Sequence, residues 1–206
     1  MAGSRAMLAD LTFLAFAAAA VIDWIAVAQG RQALEWIAKP AALGFLLLWA
    51  ALGHAAGWPL LAALVFSLLG DVYLMLPGNL FVAGLAAFLV GHLAYIDAFH
   101  ATLGWRVLWS ALVLGATAPL GLRIVGAAPG MALRVAVTVY MVVIGVMAGS
   151  AIAAGLPIAV AGALLFMLSD SMIAWNRFVA PFAGARLAII VSYHVGQALL
   201  VYALRS

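Results

Sequence analysis

Residues 58–100 read WPLLAALVFSLLGDVYLMLPGNLFVAGLAAFLVGHLAYIDAFH. Two apolar runs, 58–76 and 80–100, flank a break at Pro77-Gly78-Asn79. A helix that spans a bilayer needs roughly 20 predominantly apolar residues, and a Pro-Gly pair is typical of a turn between helices. This stretch therefore predicts two successive transmembrane helices, each with a few polar side chains inside an otherwise apolar span.

The composition extends this pattern to the whole chain. Of the 206 residues, 69% are hydrophobic and 7% are charged, whereas about 25% of the residues in a soluble domain are charged. This composition excludes a soluble globular fold, and it also excludes disorder, which needs a polar sequence. The net charge of +3 comes from scattered residues rather than a basic patch, so we expect no nucleic-acid partner. Cysteine is absent, which excludes disulfides and thiol catalysis.

The apolar runs predict a single integral membrane domain over residues 1–206, an all-α transmembrane bundle of eight spans. We place the spans at 8–28, 40–53, 58–76, 80–100, 105–121, 131–150, 156–176 and 185–204. The breaks are Gln29–Lys39, His54–Gly57, Pro77–Asn79, Thr102–Gly104, Arg123–Gly130, Ala153–Gly155 and Asn176–Gly184. Seven spans are the main alternative, because the second span is short and Pro119 interrupts the fifth. Another alternative treats the first span as a signal peptide, since Arg5 precedes an Ala-rich run.

Two similar segments indicate an internal repeat. Residues 64–71, LVFSLLGD, resemble residues 164–170, LLFMLSD, with one residue deleted. Each segment finishes in an aspartate near the end of its span, and each precedes a span that carries polar aromatic or imidazole side chains. Two four-helix halves would explain this likeness, and an even number of spans in each half makes the repeat parallel rather than inverted.

Ionisable side chains within the spans indicate a polar pocket, because such groups are costly in the bilayer and mark functional sites. Asp23, Asp71 and Asp170 lie near the ends of the first, third and seventh spans, which all open to the odd-numbered loops. Lys39 enters the second span from the same side. We therefore expect a pocket that opens to one membrane face. Its predicted border and floor are formed by Asn79, Asn176, Arg177, His92, Tyr193 and Gln197.

Helical spacing groups these side chains by face, since residues three, four or seven positions apart lie on the same side of a helix. The pairs are Ser67/Asp71, His92/Tyr95, Tyr193/Gln197, Asp170/Arg177 and Gly84/Gly91. The glycine pair allows the fourth span to approach a neighbouring helix closely. Arg177 is expected two turns beyond Asp170, at the mouth of the pocket.

A structural role is the alternative for several of these residues. Asp71 could cap a helix or pair with Lys39, Lys39 could extend its ammonium group to the interface, and His92 could be a hydrogen-bonded packing residue. Asp97 and His100 lie near the other face and are expected at the interface. We expect no metal site, because His92 and His194 have no partner at the HxxxH spacing.

The distribution of basic residues predicts the orientation of the chain. The odd-numbered loops and their flanks carry six basic residues, which are Arg31, Lys39, Arg123, Arg134, Arg177 and Arg186. The even side carries three, which are Arg5, Arg106 and Arg205. By the positive-inside rule the odd side is cytoplasmic, so both termini face outward and the pocket opens inward.

At these positions the sequence resembles the YhhN family, the lysoplasmalogenases. The matching positions are Lys39-Pro40, 66–71, Phe81, Gly84, Phe88, His92, Tyr95, Tyr140, Phe166, Ser169-Asp170-Ser171, Ala174, Asn176-Arg177-Phe178, Tyr193 and Gln197. One departure lies in the eighth span. The family pattern there is Tyr-Tyr-x-Ala-Gln, whereas this chain has Tyr193-His194-Val195-Gly196-Gln197.

The resemblance implies a multi-pass membrane hydrolase of about eight helices, in the inner membrane of a bacterium. Its substrates would be lysoplasmalogens, the single-chain phospholipids of the membrane that carry a vinyl ether at sn-1. Its products would be a fatty aldehyde and glycerophosphoethanolamine or glycerophosphocholine. The suspected catalytic pair of the family falls on Asp71 and Asp170. The predicted substrate-binding residues, from the resemblance and from the pocket, are Lys39, His92, Tyr95, Tyr140, Asn176, Arg177, Tyr193 and Gln197. Of these, Arg177, Lys39 and Asn176 at the mouth of the pocket are expected to hold the phosphate.

The chemistry of vinyl ethers suits a pocket with two carboxyl groups. Protonation of the β-carbon gives an oxocarbenium ion, water adds to it, and the hemiacetal collapses to aldehyde and alcohol. One carboxylic acid and one carboxylate meet this need, as in glycosidases, with no metal and no other cofactor. Two other classes stay open: a small transporter, for which mid-membrane acids are also expected, and a different lipid enzyme or lipid-binding membrane protein.

Overall fold

The structure is a computed structural model that describes residues 2–53 and 56–205. Over these residues it contains helices and no strand. The α-helices are α1 (Ala2–Ala28), α2 (Gln32–Ala51), α3 (Trp58–Met75), α4 (Phe81–Ala98), α5 (Leu103–Ala127), α6 (Met131–Ala153), α7 (Pro157–Ala174) and α8 (Ala185–Leu204). A π-helical segment, Trp175–Val179, continues α7. In this π segment the backbone bonds run from residue i to i+5, as from the Ala180 amide to the Trp175 carbonyl.

Within the described residues, eight helices are long and apolar enough to cross a membrane. This finding confirms the prediction of an all-α, eight-span membrane protein and favours eight spans over seven. The third, fourth, sixth and eighth spans have the predicted ends to within a few residues. Composition and apolar run length were sufficient here because Pro, Gly or Asn lies at most of these boundaries, the ends of α4 and α8 excepted.

The second span is longer than predicted. It begins at Gln32, so the predicted break Gln29–Lys39 is wrong, and the turn is centred on Gly30. Pro40 lies inside α2. Its missing amide removes one backbone hydrogen bond, and the packing of α2 against both α1 and α3 offsets that loss. Lys39 is therefore an internal residue of a span rather than an entry residue.

The fifth span is also longer than predicted. It continues through Pro119 to Ala127 and includes Arg123, so the predicted break Arg123–Gly130 is too long. Gly130, with φ +75°, precedes α6. Of the predicted break His54–Gly57, residues 54 and 55 lie outside the described residues.

The π segment extends the seventh span to Val179. Asn176 and Arg177 therefore belong to helical backbone and not to the predicted loop. The wider turn of a π-helix moves Arg177 off the α-helical stripe on which its seven-residue spacing from Asp170 placed it. The break that precedes α8 is correspondingly shorter than predicted.

The described residues form two compact units. Unit 1 comprises the described residues of 1–98 and 201–206, and unit 2 comprises residues 99–200. In unit 1, α2 packs against α1 and α3, and α3 packs against α4. In unit 2, α6 packs against α5 and α7. The boundary after α4 coincides with the boundary between the two predicted four-helix halves.

Glycines bring α3 and α4 close together in unit 1. A Cβ atom on Gly91 would lie 3.2 Å from the Ala63 carbonyl oxygen and 3.3 Å from Ser67 Oγ. A Cβ atom on Gly84 would lie 2.7 Å from Leu74 Cδ2. The close approach expected from the Gly84/Gly91 stripe is therefore present, and it fixes the polar face of α3 against α4.

A second close approach joins α7 and α8 in unit 2. A Cβ atom on Gly162 would lie 2.8 Å from the Gly196 carbonyl oxygen, and one on Gly196 would lie 2.9 Å from the Gly162 carbonyl oxygen. Two backbones meet here with no side chain between them, which only small residues allow.

An aromatic cluster in unit 1 receives the end of α8. The ring centroid of Trp49 lies 4.6 Å from that of Phe13 and 6.4 Å from that of Tyr202. The Arg205 guanidinium carbon lies 4.2 Å from the Trp49 ring centroid, and a Cβ atom on Gly53 would lie 2.7 Å from the Arg205 carbonyl oxygen. The end of α8 is thus part of unit 1, although it follows unit 2 in the chain.

Candidate active site

Asp71 forms a buried ion pair in unit 1. The Lys39 Nζ atom of α2 lies 2.8 Å from Oδ1 of Asp71 on α3, and the two side chains are 14% and 2% exposed. This is the pairing that the sequence offered as a structural alternative for Asp71. Separating the two groups in apolar surroundings is costly, so the pair fixes an ammonium group directly beside the Asp71 carboxyl group.

The face of α3 around Asp71 is closed by α4. Ser67, one turn before Asp71, is buried, and its Oγ has no hydrogen-bond partner among the residues that the structure describes. It lies against Gly91. His92 and Tyr95 of α4 are fully buried. Unit 1 therefore holds a set of polar side chains in an otherwise apolar interior.

The remaining intramembrane acids of unit 1 differ in burial. Asp23 of α1 is fully buried, which agrees with its predicted position inside a span. Asp97 near the end of α4 is exposed, which suits the interfacial position expected for it. Asp97 is consequently a suitable control for substitutions of the buried acids.

Asp170 is bound by a tyrosine in unit 2. The Tyr140 hydroxyl of α6 donates a hydrogen bond to Oδ2 of Asp170 on α7. Tyr140 is buried and Asp170 is partly buried. The resemblance implied a substrate-binding role for Tyr140, and the geometry adds a direct contact with a candidate catalytic carboxyl group.

The two aspartates have corresponding partners within their own units. Each lies on the third helix of a four-helix half, and its donor lies on the second helix, α2 for Asp71 and α6 for Asp170. The donors differ in charge, since Lys39 offers an ammonium group and Tyr140 a neutral hydroxyl. The two carboxyl groups therefore have different electrostatic surroundings.

Polar residues also lie at the contact of α7 and α8. Ser169 Oγ donates a hydrogen bond of 3.0 Å to the Ile189 carbonyl oxygen. The Tyr193 ring meets Phe166 edge-on at 5.2 Å. The buried polar residues of α8 are Ser192, Tyr193, His194 and Gln197. The predicted floor residues of the eighth span thus lie in the interior, and His194 lies beside Tyr193 at a ring distance of 5.6 Å.

The π segment carries the predicted mouth residues. Asn176 Oδ1 accepts a hydrogen bond of 3.2 Å from the Phe182 amide, which ties the segment to the turn before α8. Arg177 is exposed. Arg123 of α5 reaches the same segment, with its guanidinium carbon 5.2 Å from the Trp175 ring centroid.

Sequence reasoning missed two of these contacts. The hydrogen bond of Tyr140 to Asp170 joins residues 30 positions apart, and the only signal was a hydroxyl inside an apolar span. The contact of Arg123 with Trp175 was missed because Arg123 was assigned to a loop. Across residues 2–53 and 56–205, no group of three or more His, Asp or Glu side chains is placed to bind a metal ion.

Relatives of known name match much of the chain. Lysoplasmalogenase TMEM86B of Homo sapiens is 38% identical over 145 residues, which cover 70% of this chain and 62% of the relative. The Sus scrofa protein of the same name is 36% identical over 138 residues, 67% of this chain and 59% of the relative. A lysoplasmalogenase of Mycobacterium tuberculosis is 35% identical over 177 residues, 78% of this chain and 66% of the relative.

The chain spans about three fifths of the length of the two mammalian relatives. No solved structure matches it. The sequence model of the YhhN family matches residues 34–204. That range includes all of α3 to α8 and both of the aspartates with their partners, so the resemblance noted in the sequence is confirmed. The chain belongs to the YhhN family.

Proposed function

We propose that this chain is a membrane-embedded hydrolase that cleaves the vinyl ether bond of lysoplasmalogens. The products are a fatty aldehyde and glycerophosphoethanolamine or glycerophosphocholine. The observation that carries the proposal is that relatives 33–38% identical to this chain are named lysoplasmalogenase. Two carboxyl groups inside spans, each bound to a donor on the preceding helix, supply the acid and base that the reaction needs.

The proposed reaction consumes one water molecule. A carboxylic acid transfers its proton to the β-carbon of the vinyl ether, which leaves an oxocarbenium ion at the carbon bonded to oxygen. Water adds to that carbon while a carboxylate accepts the proton that the water loses. The resulting hemiacetal collapses, its hydroxyl proton is lost to the site, and the glycerol oxygen leaves with a proton as an alcohol. Both groups then regain their starting states.

We assign the acid role to Asp170 and the carboxylate role to Asp71. The Lys39 ammonium lies against Asp71, and we therefore assign to Asp71 the carboxylate that stabilises the oxocarbenium ion and accepts a proton from water. Tyr140 meets Asp170 with a neutral hydroxyl rather than a cation, and on this difference we assign to Asp170 the delivery of the proton. Carboxyl pairs in glycosidases divide their roles in the same way, by differences in environment.

The proposed position of the substrate follows from the same residues. Asn176 and Arg177 bind the phosphate at the π segment, and the alkenyl chain lies among the apolar helix faces, which it enters sideways from the lipid. The buried polar residues proposed to contact the glycerol and the vinyl ether are His92, Tyr95, Tyr193 and Gln197. Lys39 and Tyr140, which the resemblance also implied as binding residues, act in this proposal through Asp71 and Asp170.

The test is hydrolysis of a defined lysoplasmalogen by the purified protein in deuterated water. Proton delivery to carbon should leave one solvent-derived deuterium at C2 of the aldehyde. An unlabelled aldehyde, after correction for slow exchange, would exclude protonation at carbon. A free fatty acid as product would indicate an esterase, and absence of any turnover would leave a transporter or lipid-binding protein as the function.

A further inference from the structure

Arg123 is a basic residue near the C-terminal end of α5, in unit 2, and the proposed site does not use it. It lies on α5, one turn before that helix ends at Ala127, and its side chain is exposed. Among the described residues its contact is with the Trp175 ring, and no carboxylate or carbonyl group bonds to it. Arg134, by contrast, uses its guanidinium to bond the carbonyl groups of Ala128 and Gly126.

The Trp175 ring gives Arg123 a defined orientation. A guanidinium group that lies over an aromatic ring is attracted to the face of that ring, and its N–H groups point outward along its own edge. That planar fork matches two oxygens of a phosphate group. Trp175 is itself held in place, because its carbonyl accepts the Ala180 amide and the next residue, Asn176, is bonded to the turn. Arg123 is thus a positioned anion-binding group.

The spacing between Asp170 and Trp175 fits the size of a lysophospholipid. Trp175 follows Asp170 by five positions, which is about 7.5 Å along a helix that rises about 1.5 Å per residue. In a lysoplasmalogen, about six bonds separate the vinyl carbon bonded to oxygen from the phosphorus atom, roughly 7 Å for an extended chain. A substrate whose vinyl ether reaches Asp170 therefore brings its phosphate to the level of Arg123.

We infer that Arg123, stacked on Trp175, binds the phosphate group of the single-chain lipid and so selects phosphorylated substrates over neutral alkenylglycerols. The inference rests on the proposed function, because that function places the vinyl ether at Asp170. It adds to the π segment a specificity residue that comes from α5, a different helix of the same unit.

The experiment measures binding, so that it needs no turnover. The probes are two saturated ether lipids that cannot be hydrolysed, 1-O-hexadecylglycerophosphoethanolamine and 1-O-hexadecylglycerol, presented to the purified protein in detergent. Arg123→Gln should weaken binding of the phosphorylated probe by about 10- to 100-fold, the range expected for one charge-assisted hydrogen-bonded pair. Binding of the neutral probe should be unchanged. Arg123→Lys should lie between Arg123→Gln and the native protein, since it keeps the charge and loses the fork.

Arg106→Gln is the matched control, because it removes the same charge at the opposite end of α5, where Arg106 bonds the Ala101 carbonyl. It should leave both affinities unchanged. Equal binding of the phosphorylated probe by Arg123→Gln and the native protein would overturn the inference, and so would an equal loss for both probes. Inorganic phosphate is a third probe, and Arg123-dependent binding of it at the same concentration would overturn assignment to a lipid.

If Arg123→Gln does not fold, the affinities of Arg123→Lys decide the question. Weaker binding of the phosphorylated probe alone supports the inference, and unchanged binding of that probe overturns it. Failure of the proposed function has a different signature. In that case the native protein would cleave no lysoplasmalogen while the two ether probes still bound with an Arg123-dependent difference. If the native protein does cleave lysoplasmalogen but Arg123 makes no difference to the binding of the two ether probes, the inference about Arg123 is wrong and the proposed function stands.

Discussion

A carboxyl group costs about 2.5–3.5 kcal/mol at the centre of a bilayer-spanning helix on insertion scales, and less towards the ends, where Asp71 and Asp170 lie. Asp71 and Asp170 each meet that cost with a partner on the neighbouring helix, a buried ammonium for Asp71 and a tyrosine hydroxyl for Asp170. The partner of Asp71 is charged and the partner of Asp170 is neutral, and this difference is a physical basis for different chemical roles of the two acids. The residue-scale predictions test those roles separately.

The first prediction concerns the two carboxyl groups. Asp71→Asn and Asp170→Asn keep the side-chain shape and remove the titrating group, and general acid–base residues contribute about 10²–10⁴-fold. We expect each variant to lower kcat by at least about 100-fold. The measurement is aldehyde release by purified protein in detergent, with Asp97→Asn as the nearly silent control. Near-normal turnover by either variant would contradict the two-carboxylate mechanism.

The stability of the same variants should differ. Asp71→Asn leaves the Lys39 ammonium without its counter-charge, and breaking a buried pair costs about 3–5 kcal/mol, less here because Lys39 is 14% exposed. We expect a lower Tm for Asp71→Asn than for Asp170→Asn. The double variant Lys39→Met/Asp71→Leu should recover most of the lost stability without recovering activity. An unchanged Tm in Asp71→Asn would show that the ion pair contributes little.

Tyr140 supplies the third prediction. Its hydroxyl touches the Asp170 carboxyl group, so Tyr140→Phe should lower kcat by about 10- to 100-fold, the range for a hydrogen bond to a charged or catalytic group, while KM changes little. A residue that only binds substrate would give the opposite result, a raised KM with an unchanged kcat. Steady-state kinetics with one lysoplasmalogen over a range of concentrations distinguish the two outcomes.

At the scale of the element, sequence patterns predicted that the helices exist but not where all of them end. Apolar length located eight spans, because a bilayer imposes that length whatever the neighbours are. Two boundaries were misplaced, one at Pro40 and one at Arg123. A proline inside a helix is tolerated when adjacent helices stabilise the backbone, and a long basic side chain near a helix end reaches the interface without ending the helix. The π segment was not predicted either, because the sequence alone does not show the neighbouring helices that stabilise it. Pairs such as Tyr140 and Asp170 depend on the register between helices, which local spacing does not determine.

Helix contacts give a prediction at this scale. A Cβ atom on Gly162 would lie 2.8 Å from the Gly196 carbonyl oxygen, whereas nothing lies within 4 Å of one on Gly115. Gly162→Ala should therefore push α7 from α8 and lower the free energy of unfolding by about 1–3 kcal/mol. Gly115→Ala places its methyl group in open space. It should leave the free energy of unfolding unchanged or raise it by up to about 1 kcal/mol, because alanine has the higher helix propensity. Thermal melts in one detergent compare the pair, and equal effects would refute the close contact.

At the scale of the whole molecule, the question is which side of the membrane each loop faces. Six basic residues flank the odd-numbered loops and three flank the even ones, so we propose that the odd side is cytoplasmic. The chain lacks cysteine, which makes single introduced thiols specific probes. Ala183→Cys lies in the turn before α8, and Thr102→Cys lies between α4 and α5. Neither Ala183 nor Thr102 has a positive φ angle, so a cysteine fits the backbone at both positions.

An impermeant maleimide should label Thr102→Cys in intact cells and should label Ala183→Cys only after lysis. Labelling of Ala183→Cys in intact cells, with protection of Thr102→Cys, would reverse the orientation and place the π segment on the outer side. In either case the two loops would be labelled from opposite sides, as the three spans between residues 102 and 183 require.

The docking of the end of α8 onto Trp49 and Gly53 has a consequence for biogenesis. Unit 1 includes positions from 201 onward, so the ribosome must add the roughly one hundred residues of unit 2 before unit 1 can close. Translation adds about 5–20 residues per second. Tyr202 and Arg205 are therefore synthesised on the order of ten seconds after unit 2 begins, and until then the pair of Phe13 and Trp49 lacks these two contacts. During that interval the face of Trp49 that Tyr202 and Arg205 later cover is open to the translocon, to lipid or to a membrane chaperone.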